Sequence, residues 1–146
     1  MLLRGRDGQS IELRLVGYQF PAARTPVDAT WIVVAGRVDH PRGSWTFQDP
    51  CLETTDIFSL ASWLEAVARG AEDRADYGFT EPNLEFRLVG SGTDRRLRLY
   101  FELESRPPWA PSNVAGEQDL WVEFPLGAVD LLEAARSLRE QLDRLR

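Results

Sequence analysis

Between Arg96 and Trp109 the chain reads Arg-Leu-Arg-Leu-Tyr-Phe-Glu-Leu-Glu-Ser-Arg-Pro-Pro-Trp, and this stretch restricts the fold more than any other. Leu97, Leu99, Phe101 and Leu103 alternate with Arg98, Tyr100, Glu102 and Glu104, the period of two that sends successive side chains to opposite faces of a strand. Such a strand needs a core on one side and water or a partner on the other. Pro107 and Pro108 stop it, because proline cannot donate to a sheet ladder.

The neighbouring segments extend the same pattern. Leu84, Phe86 and Leu88 alternate with Glu85 and Arg87, and Gly90-Ser91-Gly92-Thr93-Asp94 links this run to the central strand as a hairpin. Leu120, Val122 and Phe124 on one side, with Trp121 and Glu123 on the other, predict a further strand. Towards the N-terminus, Ser10 to Val16 alternates in the same way. Gly17 to Asp28 reads as a loop, with Pro21 and Pro26 in it and Tyr18 and Phe20 pinning it to the core. Ala29 to Val38 is apolar on both alternations, and Pro41-Arg42-Gly43 turns it into Ser44 to Gln48, ended by Asp49-Pro50.

Two segments change period. Ile57, Leu60, Ala61, Leu64 and Ala68 recur at helical spacing between a threonine cap, Thr54 or Thr55, and a stop at Gly70. Leu131, Ala135, Leu138, Leu142 and Leu145 form a second stripe near the C-terminus. Ala71 to Tyr77 between them reads as a charged, mobile connection. The expected architecture is α+β, with element order βββαβββα: a mainly antiparallel sheet of about six strands with both helices packed on one face. Without repeats or linkers, residues 1–146 are expected to form a single domain.

Composition then narrows the function. One cysteine, Cys51, allows no internal disulfide, and the N-terminus meets charge after two leucines, unlike a signal peptide. No apolar run approaches the roughly 18 residues of a membrane span. These features predict a cytoplasmic chain without a membrane partner. The net charge of −6 has the wrong sign for holding nucleic acid and steers towards basic partners.

No motif spells out a reaction. A cysteine–histidine dyad would have to use Cys51 and His40, yet Cys51 stands beside a proline turn and not at a helix start that would activate it. Gly90-Ser91-Gly92 lacks the helix and lysine of a phosphate loop. No cofactor or metal is expected. Glu102 and Glu104, with Glu123 if its strand is adjacent, could serve a small metal-dependent hydrolase or nuclease. A solvated face balanced by Arg98 and Arg106 is the plainer reading of the same residues.

Neither reading accounts for Tyr100, Trp121 and Trp109 on that surface. Aromatics mixed with acids and arginine characterise protein interfaces, so Arg98, Tyr100, Glu102, Glu104, Arg106, Trp109, Trp121 and Glu123 form a candidate partner-binding surface. Two alternatives stay open. The loops from Gly17 to Asp28 and from Pro107 to Asp119 could fold over the face, or the aromatics could line the closed pocket of a ligand-binding domain.

Five segments carry a resemblance. Val16-Gly17-Tyr18-Gln19-Phe20-Pro21, Trp45-Thr46-Phe47-Gln48-Asp49-Pro50-Cys51-Leu52, Phe79-Thr80-Glu81-Pro82-Asn83-Leu84, Phe101 through Trp109, and Trp121-Val122-Glu123-Phe124-Pro125 together resemble the WapI family of bacterial immunity proteins. The resemblance implies a non-enzymatic cytoplasmic protein, encoded beside a polymorphic toxin, that binds and neutralises the toxin's C-terminal domain. Many such toxins are nucleases with basic surfaces, which suits an acidic partner. It carries over no residue roles.

Overall fold

The computed structural model describes residues 1–22, 30–110 and 119–146. Among them the order is β1 (Leu2–Arg4), β2 (Ser10–Tyr18), β3 (Trp31–Asp39), β4 (Trp45–Glu53), α1 (Thr54–Ala68), β5 (Asp76–Gly78), β6 (Leu84–Val89), β7 (Arg96–Phe101), β8 (Trp121–Pro125) and α2 (Leu131–Leu145).

The α+β class holds, but the single six-stranded sheet does not. The strands form two four-stranded antiparallel sheets, β1-β2-β3-β4 and β5-β6-β7-β8. Two strands absent from the sequence reading, β1 and β5, are three residues long, too short for alternation to be legible. The segment read as a mobile connection therefore contributes β5, which pairs Tyr77 with Phe86. The sheets separate because β4 runs directly into α1, whose cap is a box between Glu53 and Asp56 and not a threonine.

Two expected strand ends also shift. Pro50 does not end β4, because β4 is an edge strand and the ladder bulges between Ile32 and Val34 of β3 to pass the proline. A second bulge, beside Val16, carries β2 through Gly17 to Tyr18, into the segment read as a loop. Residues 23–28 of that segment, and Ala29 at the start of the next, lie outside the described residues.

One core joins the layers. Ile11, Leu13, Ile32 and Val34 of the first sheet, Phe86, Leu99, Phe101 and Phe124 of the second, and Leu60, Leu64, Ala135 and Leu138 of the helices belong to one buried cluster. The helices pack on each other; α1 meets β4, α2 meets β1 and β2, and Trp63 of α1 contacts Phe86 of β6. The outer face of β6, β7 and β8 is left on the opposite side from these inward-facing residues.

The second sheet's edge is closed by the first sheet's turns. Gln9 Oε1 accepts from the Glu123 N–H at 3.2 Å, and the His40 ring lies against the main chain of Trp121. Side chains thus occupy an edge that would otherwise offer itself to another strand.

Candidate functional site

Strand register assembles the outer face in rows. Glu85, Tyr100 and Trp121 lie opposite one another across β6, β7 and β8, and Arg87, Arg98 and Glu123 form the next row. Directly opposed side chains on one face interact. Tyr100 and Trp121 meet with ring centroids 5.6 Å apart. Arg87 lies 4.9 Å over the Tyr100 ring, and Arg98 lies 4.6 Å over Trp121. Cations stacked on aromatic rings sit in the ring quadrupole and keep their charge.

Glu123 ties the rows together. It accepts from Arg96 at 2.7 Å and also from Arg98. Burial by itself would raise the Glu123 carboxyl, but the bonds from Arg98 and Arg96 outweigh it and hold the group below the usual carboxylate range. This carboxylate is an ion-pair anchor in the folded face. Tyr100 is only 5 % exposed under its arginine lids, so Trp121 and the arginines supply most of what a partner would meet here.

The expected continuation of this face through Glu102 and Glu104 is corrected. The strand ends at Phe101, and residues 103–105 form a single 3-10 turn. Leu103, expected on the core face, is 47 % exposed and has a left-handed φ of 51°. Side chain to backbone bonds compete successfully with the ladder here. Ser105 Oγ accepts from the Glu102 N–H at 3.1 Å and donates to the Asn83 carbonyl. Trp45 Nε1 donates to the Ser105 carbonyl at 2.8 Å.

Arg106 is drawn inward by the same knuckle. Its side chain is 3 % exposed. Nε donates to the Ala110 carbonyl at 2.8 Å, and Nη1 donates to Asp119 at 2.7 Å and to the Phe101 carbonyl at 3.3 Å. Glu102 lies 3.6 Å from the same nitrogen. The bond from Arg106 holds the Asp119 carboxyl below its ordinary range. Arg106 and Glu102 therefore fix the segment that leads to Trp109, while Glu104 projects into solvent. Asn83 Nδ2 donates to both Glu104 and Asp49 at 3.3 Å. Burial, then the nearby charges of Glu104 and Glu81, raises the Asp49 carboxyl.

Trp109 stands on the first sheet's hairpin, 39 % exposed. Its ring meets Trp45 edge-on at 5.7 Å and His40 at 6.0 Å, and Arg42 lies 5.0 Å over it. It is neither free nor folded into the core. Between this hairpin and β8 lies an open depression of about 310 Å³, lined by His40, Pro41, Arg42, Asp119, Trp121 and Glu123, among others. Residues 111–118, most of the second loop that could have covered the face, lie outside the described residues.

Sequence reasoning missed Arg42, His40 and Asn83 as parts of this surface, since turn residues carry no periodicity and are placed only by tertiary packing. Cys51 is fully buried. Its thiol is pushed up to about 12, first by burial and then by the neighbouring Asp49, so a nucleophilic thiolate does not form at neutral pH. Among the described residues no three histidine, cysteine or carboxylate groups are placed to hold a metal ion together.

Among known families, the model described as "Immunity protein WapI-like family" matches the chain over residues 1–146. No curated protein and no solved structure matches the chain.

Proposed function

We propose, from the premise that the chain belongs to the WapI-like immunity protein family, that it binds the C-terminal domain of a cognate polymorphic toxin in the cytoplasm and neutralises it without catalysis. The family membership carries this reading. The outer face of β6, β7 and β8 is the contact surface, with Arg98, Trp121 and Glu123 at its centre and Tyr100 beneath. Trp109 and Glu104 extend it along the neighbouring knuckle, and Glu102 and Arg106 hold that knuckle in place.

Two features support the assignment. Stacked Arg–Trp and Arg–Tyr pairs present wide, rigid contact area, and ordering them in advance lowers the entropy lost on association. The net charge of −6 also suits a toxin with a basic active-site surface, including a nuclease, by speeding encounter and blocking the groove that nucleic acid would use.

The test is protection in cells that co-express the toxin domain encoded beside this chain. Trp121→Ala and Glu104→Lys leave the Ser105 and Arg106 bonds intact, whereas reversing Glu102 would break its contact with Arg106. The intact chain should restore growth, and a folded Trp121→Ala, Glu104→Lys double variant should protect poorly. Full protection by that folded variant would move the contact surface elsewhere on the molecule.

A further inference from the structure

Hydrogen-bonding capacity at the depression between the two sheets is uneven, and the imbalance selects a ligand chemistry. The carboxylates that line it are already ion-paired: Glu123 holds Arg96 and Arg98, and Asp119 holds Arg106. The acceptors of the adjoining turns are also engaged. Gln9 Oε1 takes the Glu123 N–H, and His40 Nδ1 takes the Arg42 N–H at 3.0 Å.

Gln9 Nε2 donates to Asp7 at 2.7 Å, but two side-chain donors of the depression are not engaged. Arg42 stacks on Trp109 and its charge acts on nearby Asp119 and His40, but among the described residues its guanidinium has no hydrogen bond and no ion pair within 4.0 Å. The indole N–H of Trp121, which lines the depression, likewise has no acceptor among the described residues. Arg98 covers one face of Trp121, and Arg42 covers Trp109. An arginine stacked on a ring keeps its in-plane N–H donors available, and their planar fork matches a carboxylate.

We propose that this notch receives a carboxylate side chain, aspartate or glutamate, of the bound partner, with Arg42 as its principal ligand and Trp121 as the wall beside it. The proposal rests on the reading above that the partner is the toxin domain, and it adds a point of specificity to it. The chain's net negative charge attracts any basic surface, whereas a donor-rich notch accepts only a partner that offers an acid at the matching position. A toxin with the same overall charge and no such acid would leave Arg42 under the interface with its donors unmatched, which is costly.

The test is calorimetry with the toxin domain on the intact chain and on Arg42→Gln, Arg42→Lys and Trp121→Ala, each first checked for an unchanged melting curve. Arg42→Gln should weaken binding by at least about tenfold, and Arg42→Lys should recover only part of that, since an ammonium cannot reproduce the fork. A scan of the toxin's acids, Asp→Asn and Glu→Gln, should then yield one substitution whose effect disappears when Arg42 is already Gln, the coupling expected of direct partners. If Arg42→Gln binds as tightly as the intact chain while Trp121→Ala binds weakly, the notch is wrong and the sheet-face reading survives. If no acid on the toxin couples to Arg42, the carboxylate assignment is overturned. Unchanged binding by both Arg42→Gln and Trp121→Ala refutes the surface as a whole.

Discussion

Replacing Arg106 by methionine keeps most of the aliphatic stem and removes a guanidinium that is 3 % exposed. The change strands the Phe101 and Ala110 carbonyls and Glu102, all of which face that guanidinium in the folded chain. Removing one member of a buried ion pair costs about 3–5 kcal/mol. Asp119 is half-exposed and can return to water, so the loss should fall near the lower end, about 3 kcal/mol. For a domain of this length each kcal/mol moves the melting temperature by about 2–4 °C, giving a fall of about 6–12 °C. Urea denaturation followed by tryptophan fluorescence and by circular dichroism reads the energy, and a thermal melt reads the shift. Asp119→Asn, which breaks only the half-exposed contact, should cost far less. If Arg106→Met lost under about 1 kcal/mol, the guanidinium would not be the clamp that sets the Phe101–Ala110 segment.

Three further outcomes follow from the packing. An alanine Cβ at Gly36 would lie 2.1 Å from the ring of Phe47, and because that ring is buried in the core, Gly36→Ala should destabilise by about 1–3 kcal/mol in the same urea assay. His40 has its pKa lowered by burial and then by Arg42. Its contribution is complete above the unfolded value near 6.5 and is lost as pH falls from there through the folded value, so the stability advantage over His40→Gln should shrink between pH 7.5 and 5.5. Cys51, with its thiol pushed up to about 12, should react with a disulfide reagent only at the rate of global opening, which parallel denaturant titrations can check.

The stretch from Arg96 to Trp109 shows how far the sequence could be read and where it stopped. Alternation placed Leu97, Leu99 and Phe101 in the core and set Arg98 on the opposite face, because period two is a local property of a strand. The helical stripes were legible for the same reason. Leu103 continues the alternation in sequence, yet the chain has already left the ladder there. Ser105, Asn83 and Trp45 impose that departure, and Asn83 and Trp45 lie 22 and 60 residues from Ser105 along the chain. Arg106 looks in sequence like another surface charge. Its burial follows from carbonyls that the turn leaves unpaired, and a buried charge is tolerated only where such partners exist.

The division into two sheets was hidden for a related reason. Each hairpin has its own turn signal, but nothing local says whether the third and fourth long strands share a ladder, and the three-residue strands β1 and β5 leave no pattern. The candidate face was therefore legible as an alternation of Arg98, Tyr100, Trp121 and Glu123. Its second wall, the His40–Gly43 turn that carries Arg42 over Trp109, was not. Tertiary packing alone brings that turn to β8.

The most direct measurement of the central claim is calorimetric titration of the purified chain with the purified toxin domain proposed as its partner, coupled to an assay of that domain's activity. If that claim holds, saturable binding with a defined stoichiometry, and loss of toxin activity in step with complex formation, is the expected result. Absence of binding heat, with toxin activity unaffected by an excess of the chain, would contradict it.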